Sequence, residues 1–200
     1  MHVSEFIREN YPQYYSIERY PADKTAPFCS ADGPWGILGN FGRTPLVVGG
    51  VPFDCSEKVF QVMKFTDRTS RDTVYSVKGQ TIKMKAKHFE KAGVLRPDWG
   101  RIIVDAMKFC IMQKYAQSGA FREELERSRG LFIVEDQTRF PNRTANTWGA
   151  KLTPDGKEFV GPNLMGRLLM ELREKGRLDY SLPDGATYFS DLIQSPSPRR

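Results

Sequence analysis

The chain has 200 residues, 40% of them hydrophobic and 27% charged, with a mean hydropathy of −0.50; this composition supports a packed core and excludes collagen-like and disordered chains. No apolar run reaches the roughly 20 residues of a membrane span, and the first residues lack the basic-then-apolar pattern of a secretory signal, so a cytoplasmic protein is expected. Thirty Lys and Arg against 24 Asp and Glu leave a net charge of +6. The excess is even except at Lys78, Lys83, Lys85, Lys87 and Lys91, a local patch suited to a polyanion or to plain solvation.

In chain order, residues 1–32 read as an N-terminal extension packing on the body, with Tyr11, Tyr14, Tyr15, Tyr20 and Phe28 set among prolines. Leu46 to Phe53 predicts two short strands joined through Gly49-Gly50. A helix follows from Ser56 as N-cap to Lys64, placing Glu57, Gln61 and Lys64 at i, i+4 and i+7 in one row beside Val59, Phe60 and Met63. Further helices are expected over 71–77 and 82–92, and a long one from Trp99 to about Gln117, announced by Pro97-Asp98 and carrying an apolar stripe through Ile103, Ala106 and Cys110. Leu131 to Val134 reads as a strand and Glu135 to Thr147 as a polar loop. A last helix runs from Asn163 to Lys175, with Leu164, Leu168, Leu169 and Leu172 inward and Gly176 as its C-cap. Residues 179–200 read as a C-terminal extension, mobile at its Pro/Ser-rich end.

Several chemistries are disfavoured at once. Cys29, Cys55 and Cys110 are odd in number and widely spaced, which fits neither a disulfide framework nor a zinc site. With only His2 and His88 as histidines, a His-based triad is excluded, so proton transfers must run on carboxylates, lysine or tyrosine. The glycine spacing matches no Rossmann or P-loop fingerprint.

Five blocks in one order resemble the NADAR family. They are Gly36-Ile37-Leu38-Gly39-Asn40-Phe41; Ser56-Glu57-Lys58 with Gln61 and Lys64-Phe65; Trp99 before a helix containing Lys114-Tyr115; Ile133-Val134-Glu135 followed by Trp148-Gly149; and Gly161-Pro162-Asn163 leading into Gly166, Leu168, Leu169, Met170 and Arg173. The elements above read as an α+β, mainly helical fold with a small β component, and the resemblance, which spans about residues 33–175, implies a single YbiA-like domain over 33–178. Three positions depart from the family pattern: Gly39 stands for a serine, Lys58 for a histidine, and Ala145 for an acidic residue in a longer loop that offers Asp136, Arg143 and Asn146 instead.

The resemblance implies an N-glycosidase acting on a ribose joined to an exocyclic amine, with no metal or redox cofactor. Two substrates are implied by the family: ribosylaminopyrimidine phosphates of riboflavin synthesis, and ADP-ribosylated guanine in DNA or RNA, the product of a DarT-type toxin that such a protein would antagonise. The cationic patch and altered loop favour the nucleic acid. Glu57 and Lys64 are the expected catalytic pair. Either Lys64 forms an imine with the opened sugar while Glu57 moves protons, or Glu57 activates water and Lys64 contacts phosphate or ribose. Substrate binding is expected from Gly39, Asn40, Phe41, Gln61, Trp99, Asn146, Trp148, Gly149 and Asn163. Trp99 reads as core or as a stacking wall, Trp148 more as a pocket residue, and Asn163 as an N-cap beside helix N–H groups suited to a diphosphate. A non-catalytic reader of ADP-ribose is the contrasting class.

Overall fold

The computed structural model describes residues 3–140 and 144–194. Its elements are α1 (Val3–Asn10), α2 (Pro12–Tyr15), β1 (Glu18–Pro21), β2 (Thr25–Phe28), β3 (Leu46–Val48), β4 (Val51–Phe53), α3 (Ser56–Val62), α4 (Arg68–Ser76), α5 (Thr81–Lys91), α6 (Trp99–Gln117), α7 (Gly119–Arg127), β5 (Phe132–Glu135), β6 (Lys151–Leu152), β7 (Glu158–Gly161) and α8 (Leu164–Lys175). The fold is α+β and mainly helical, as expected. No helix among the described residues is long and apolar enough to cross a membrane. The chain forms two compact units, one comprising the residues up to Gly42 with Ser118–Asp179, the other Arg43–Gln117 with the residues from Tyr180 onward.

The first unit is organised by two small sheets. β1 pairs antiparallel with β7, and β6 lies on the other side of β7; β2 pairs parallel with β5. Residues 18–28, read from sequence as part of an extension, therefore supply two strands. Tyr20, Val134, Ala150 and Phe159 bury a common core with Met170 of α8 packed against it. α8 lies close on β5 because residue 166 has no side chain: a Cβ there would run into the Ile133 carbonyl oxygen. Its four inward leucines are fully buried and Gly176 ends it in the left-handed conformation at φ 70°, as the pattern requires. Arg167 on α8 donates to the Gln13 and Ser16 carbonyls and so ties the N-terminal helices down. α7 was not anticipated; Ser118 caps it by accepting from the Phe121 N–H at 3.2 Å.

The second unit carries the β3–β4 hairpin, its turn made by Gly49 and Gly50 at φ 57° and 80°, where side-chain-bearing residues are strained. Leu46, Val48, Val51 and Phe53 alternate inward. α6 spans the predicted residues, and its apolar stripe is buried against α3. α4 begins three residues earlier than expected because Asp67 accepts from the Ser70 N–H at 2.8 Å and caps the chain there. Two details of α3 need correction. Its cap is Cys55, whose extended backbone (φ −163°, ψ 164°) turns the chain into the helix one residue before Ser56, and the helix ends at Val62, so Lys64 sits in the turn after it.

Candidate functional site

The candidate residues fall into two groups, one on each unit. On the second unit, α3 is buried along its whole length, so the polar residues it carries are held between apolar neighbours. Glu57 and Gln61, one turn apart, are joined: the Gln61 Nε2 amide donates to Glu57 Oε1 at 2.7 Å. α5 packs against α3 and brings the Lys83 ammonium to 3.4 Å from the same oxygen. The Glu57 side chain is 4% exposed and that of Lys83 is 50% exposed, so the carboxylate is enclosed and the cation reaches it from the surface. Gln61 Oε1 is buried without a hydrogen-bond partner; it is an acceptor that a substrate N–H could satisfy.

Lys64 does not pair with Glu57. Beyond the end of α3 its side chain diverges from the helical row and forms an ion pair with Glu90 of α5. Its Nζ lies 5.8 Å from the ring centroids of both Phe60 and Trp99, within reach of the negative face of each ring. Trp99 itself is 4% exposed and packs edge-on to Phe60 with centroids 5.1 Å apart. Of the two readings of Trp99, burial favours the core one over the stacking wall: its ring packs in the interior and beside Lys64. Lys58, standing where the family pattern has histidine, is buried and bound to Asp54 at 2.5 Å, a fixed ion pair and no proton shuttle.

On α6, burial holds the Lys114 ammonium down at about 7 against an ordinary 10.5, because an enclosed charge loses its hydration. The Cys55 and Cys110 thiols are pushed up, chiefly by burial and secondarily by neighbours that include Glu57. These groups form the interior behind α3. Below about pH 7 folded and unfolded chains both hold the Lys114 proton. Between there and 10.5 only the unfolded chain holds it, so this residue makes folding more favourable as pH rises, by up to about 1.4 kcal/mol per unit. Urea unfolding should show the wild-type chain gaining about 2 kcal/mol on a Lys114→Met variant between pH 7 and 9; parallel pH profiles would show that Lys114 keeps its proton in the fold.

On the first unit, Gly39 ends a short 3-10 turn over Gly36–Leu38 and donates its N–H to the Gly36 carbonyl at 3.1 Å. A Cβ on Gly39 would stand 3.2 Å from the Phe28 ring, so a serine there would need that ring to shift by a few tenths of an ångström. Asn40 and Phe41 follow, both half-buried. Asn146 is held in place by Gln137: the Gln137 amide donates to Asn146 Oδ1 at 2.6 Å and accepts from the Asn146 N–H at 2.9 Å, while the Trp148 N–H also donates to Asn146 Oδ1 at 3.0 Å. Gly149 is required because a Cβ would strike the Glu135 carbonyl oxygen. Trp148 is half-buried at the edge of this loop. Arg143 lies outside the described residues.

Asn163 is the clearest departure. It occupies the left-handed region (φ 49°, ψ 42°), makes no side-chain cap, and is completely buried. Its Oδ1 accepts from the Glu135 N–H at 3.1 Å and its Nδ2 donates to the Ile133 carbonyl at 2.8 Å, clamping the start of α8 to β5. Two of the helix N–H groups expected to receive a diphosphate are taken as well: Leu164 donates to Thr147 and Met165 to Trp148, each at 3.0 Å. Asn163 is thus a structural residue that shapes the Thr147–Gly149 loop. Sequence reasoning missed Gln137 and the individual parts of Lys83 and Glu90; spacing on α5 could have paired the last two, since they are seven residues apart and share a helix face.

The NADAR domain model matches residues 27–177, and the chain belongs to the NADAR family. It is 27% identical over 161 residues to the N-glycosidase YbiA of Escherichia coli, covering 80% of this chain and 92% of that one. It is 24% identical over 190 residues to the riboflavin biosynthesis protein VVA0006 of Vibrio vulnificus, covering 94% of this chain and 48% of that protein. The NMR structure of E. coli YbiA superposes with a TM-score of 0.59 at 28% identity, covering 76% of this chain and 84% of that one.

Proposed function

We propose that this protein is an N-glycosidase that releases ADP-ribose from the exocyclic amino group of guanine in DNA or RNA, reversing the modification made by a DarT-type toxin and so serving as an antitoxin. The glycosidase part is supported by family membership and by the N-glycosidase name of the E. coli relative. The nucleic-acid part is carried by one observation about α5. The helix that delivers Lys83 to Glu57 and Glu90 to Lys64 also exposes Lys85, Lys87 and Lys91 to solvent, with Lys78 exposed just before it. The cationic surface therefore borders the reactive residues, where a phosphate backbone would be held beside its modified base.

An exocyclic N-glycoside can open by shifting its glycosidic N–H proton to the ring oxygen, which gives a neutral imine. In this reading Lys64 is the amine that attacks that carbon, and Glu57, in contact with Gln61 and Lys83, is the carboxylate that moves the proton. Gln61 Oε1 is the acceptor for a donor on the departing base.

The test is incubation with EDTA on a single-stranded oligonucleotide carrying ADP-ribosylated guanine, following free ADP-ribose by chromatography. Release in excess of enzyme, falling as salt rises, is expected. Replacing Lys78, Lys85, Lys87 and Lys91 by Gln should raise KM roughly tenfold for the oligonucleotide and far less for an ADP-ribosylated guanosine; equal changes would reduce the patch to ordinary surface. No release would sink this reading. Turnover of a ribosylaminopyrimidine phosphate, the second reading, is favoured by the riboflavin biosynthesis name of the Vibrio relative. Binding of ADP-ribose without turnover would identify a reader.

A further inference from the structure

Two carboxylates serve this site, and only Glu57 has a role in the reaction so far. We propose that Glu90 is the proton-holding partner of Lys64, keeping the ε-amine paired at rest and accepting its proton as the amine attacks the sugar. This rests on the reading of Lys64 as nucleophile.

The geometry separates the two acids. Glu57 is enclosed and already engaged by Gln61 and Lys83 through a single oxygen. Glu90 contacts Lys64, and its side chain is 31% exposed where that of Lys64 is 12% exposed. With the rings of Phe60 and Trp99 flanking Nζ, the Glu90 carboxylate is the basic group beside the amine, and it is open enough to exchange with solvent. The Lys64 backbone is also anchored, its carbonyl accepting from the Arg96 N–H at 2.9 Å. The amine therefore approaches substrate from a fixed stem.

An ammonium has no lone pair, so one Nζ–H bond must break before attack. The proton passes to Glu90, and the freed pair forms the Nζ–C bond at the imine carbon of the opened sugar. The π electrons of that imine move to the base nitrogen, which takes one proton from Nζ; the carbon–base nitrogen bond then breaks as the Nζ lone pair forms the lysine imine, and the last Nζ proton passes to the departing nitrogen, which leaves as a free amino group. Water adds to the resulting lysine imine, and the C–Nζ bond breaks to release the sugar aldehyde and the neutral amine. Glu90 then returns its proton to Nζ, and water is the sole co-reactant consumed. Glu90 exchanges its proton with the attacking nitrogen itself and is the general base for Lys64 in this scheme.

Full-length Glu90→Gln and Glu90→Asp proteins test the assignment in two assays whose expected changes are opposite. Reductive methylation with formaldehyde, read by mass spectrometry of the Lys64 peptide, should run severalfold faster in Glu90→Gln because the amine is no longer held. In the same variant kcat on the modified oligonucleotide should fall about 10²-fold with KM within about threefold, and Glu90→Asp should recover part of the loss. A purely structural role would not speed labelling while slowing turnover. An unchanged or higher kcat in Glu90→Gln, or unchanged labelling at Lys64, would overturn the proposal. A wild-type protein inert on all substrates would remove the nucleophile reading and the proton transfer with it, while labelling would still report whether Glu90 restrains the amine.

Discussion

Glu57→Gln is expected to lower kcat by about 10²- to 10⁴-fold while the protein stays folded and binds substrate. The amide has nearly the same shape and can still accept from Gln61, so the packing of α3 is preserved while the proton-transfer capacity and the charge facing Lys83 are lost. Single-turnover release of ADP-ribose, with binding followed separately by calorimetry, measures this directly. Equal losses in affinity and rate would mean that Glu57 holds the substrate and does not move a proton. A full rate in Glu57→Gln would pass the acid-base role to another group, Glu90 first among them.

Lys64 variants carry the second large effect and distinguish the two chemical routes. Lys64→Ala should lose activity on the order of 10³-fold or more, and borohydride added during turnover should cease to attach sugar to the chain. Lys64→Arg is the sharper test, since it keeps a cation beside Glu90 and the two rings but offers no amine for imine formation. If the imine route operates, the Arg variant falls as far as the Ala variant. Substantial activity in Lys64→Arg, with no trapping in wild type, would mean that Glu57 activates water directly and that Lys64 contributes charge. Because the two residues act on one bond, the double variant should be little worse than the poorer single one.

Elements marked by local chemistry were legible before folding was considered. The α6 stripe, the Gly49-Gly50 hairpin, and the leucines and terminal glycine of α8 each announce themselves within a few residues, because helix period, positive φ and caps are short-range properties. The N-terminal strands were not legible. Glu18–Pro21 and Thr25–Phe28 are short and contain prolines, and their partners β7 and β5 lie far along the chain, so no local pattern specifies the pairing. Ser56 resembled an N-cap by type, but the extended backbone falls on Cys55, a choice made by how the chain leaves β4.

The candidate site divides in the same way. Spacing was enough to place Glu57 beside Gln61, since a hydrogen bond across one helical turn is a local matter, but it was the family resemblance that singled out Glu57, Gln61 and Lys64 from an ordinary charged row. Tertiary packing alone decided that Lys64 leaves the row for Glu90, that Lys83 reaches Glu57, and that Trp99 and Asn163 are consumed by the interior. On an isolated α5 the spacing puts Lys83 and Glu90 on one face but does not say what either of them meets. Only the docking of α5 on α3 sets a charge against its opposite in a partly enclosed place, because electrostatic partnership depends on distance in space and burial, neither of which is written along the chain.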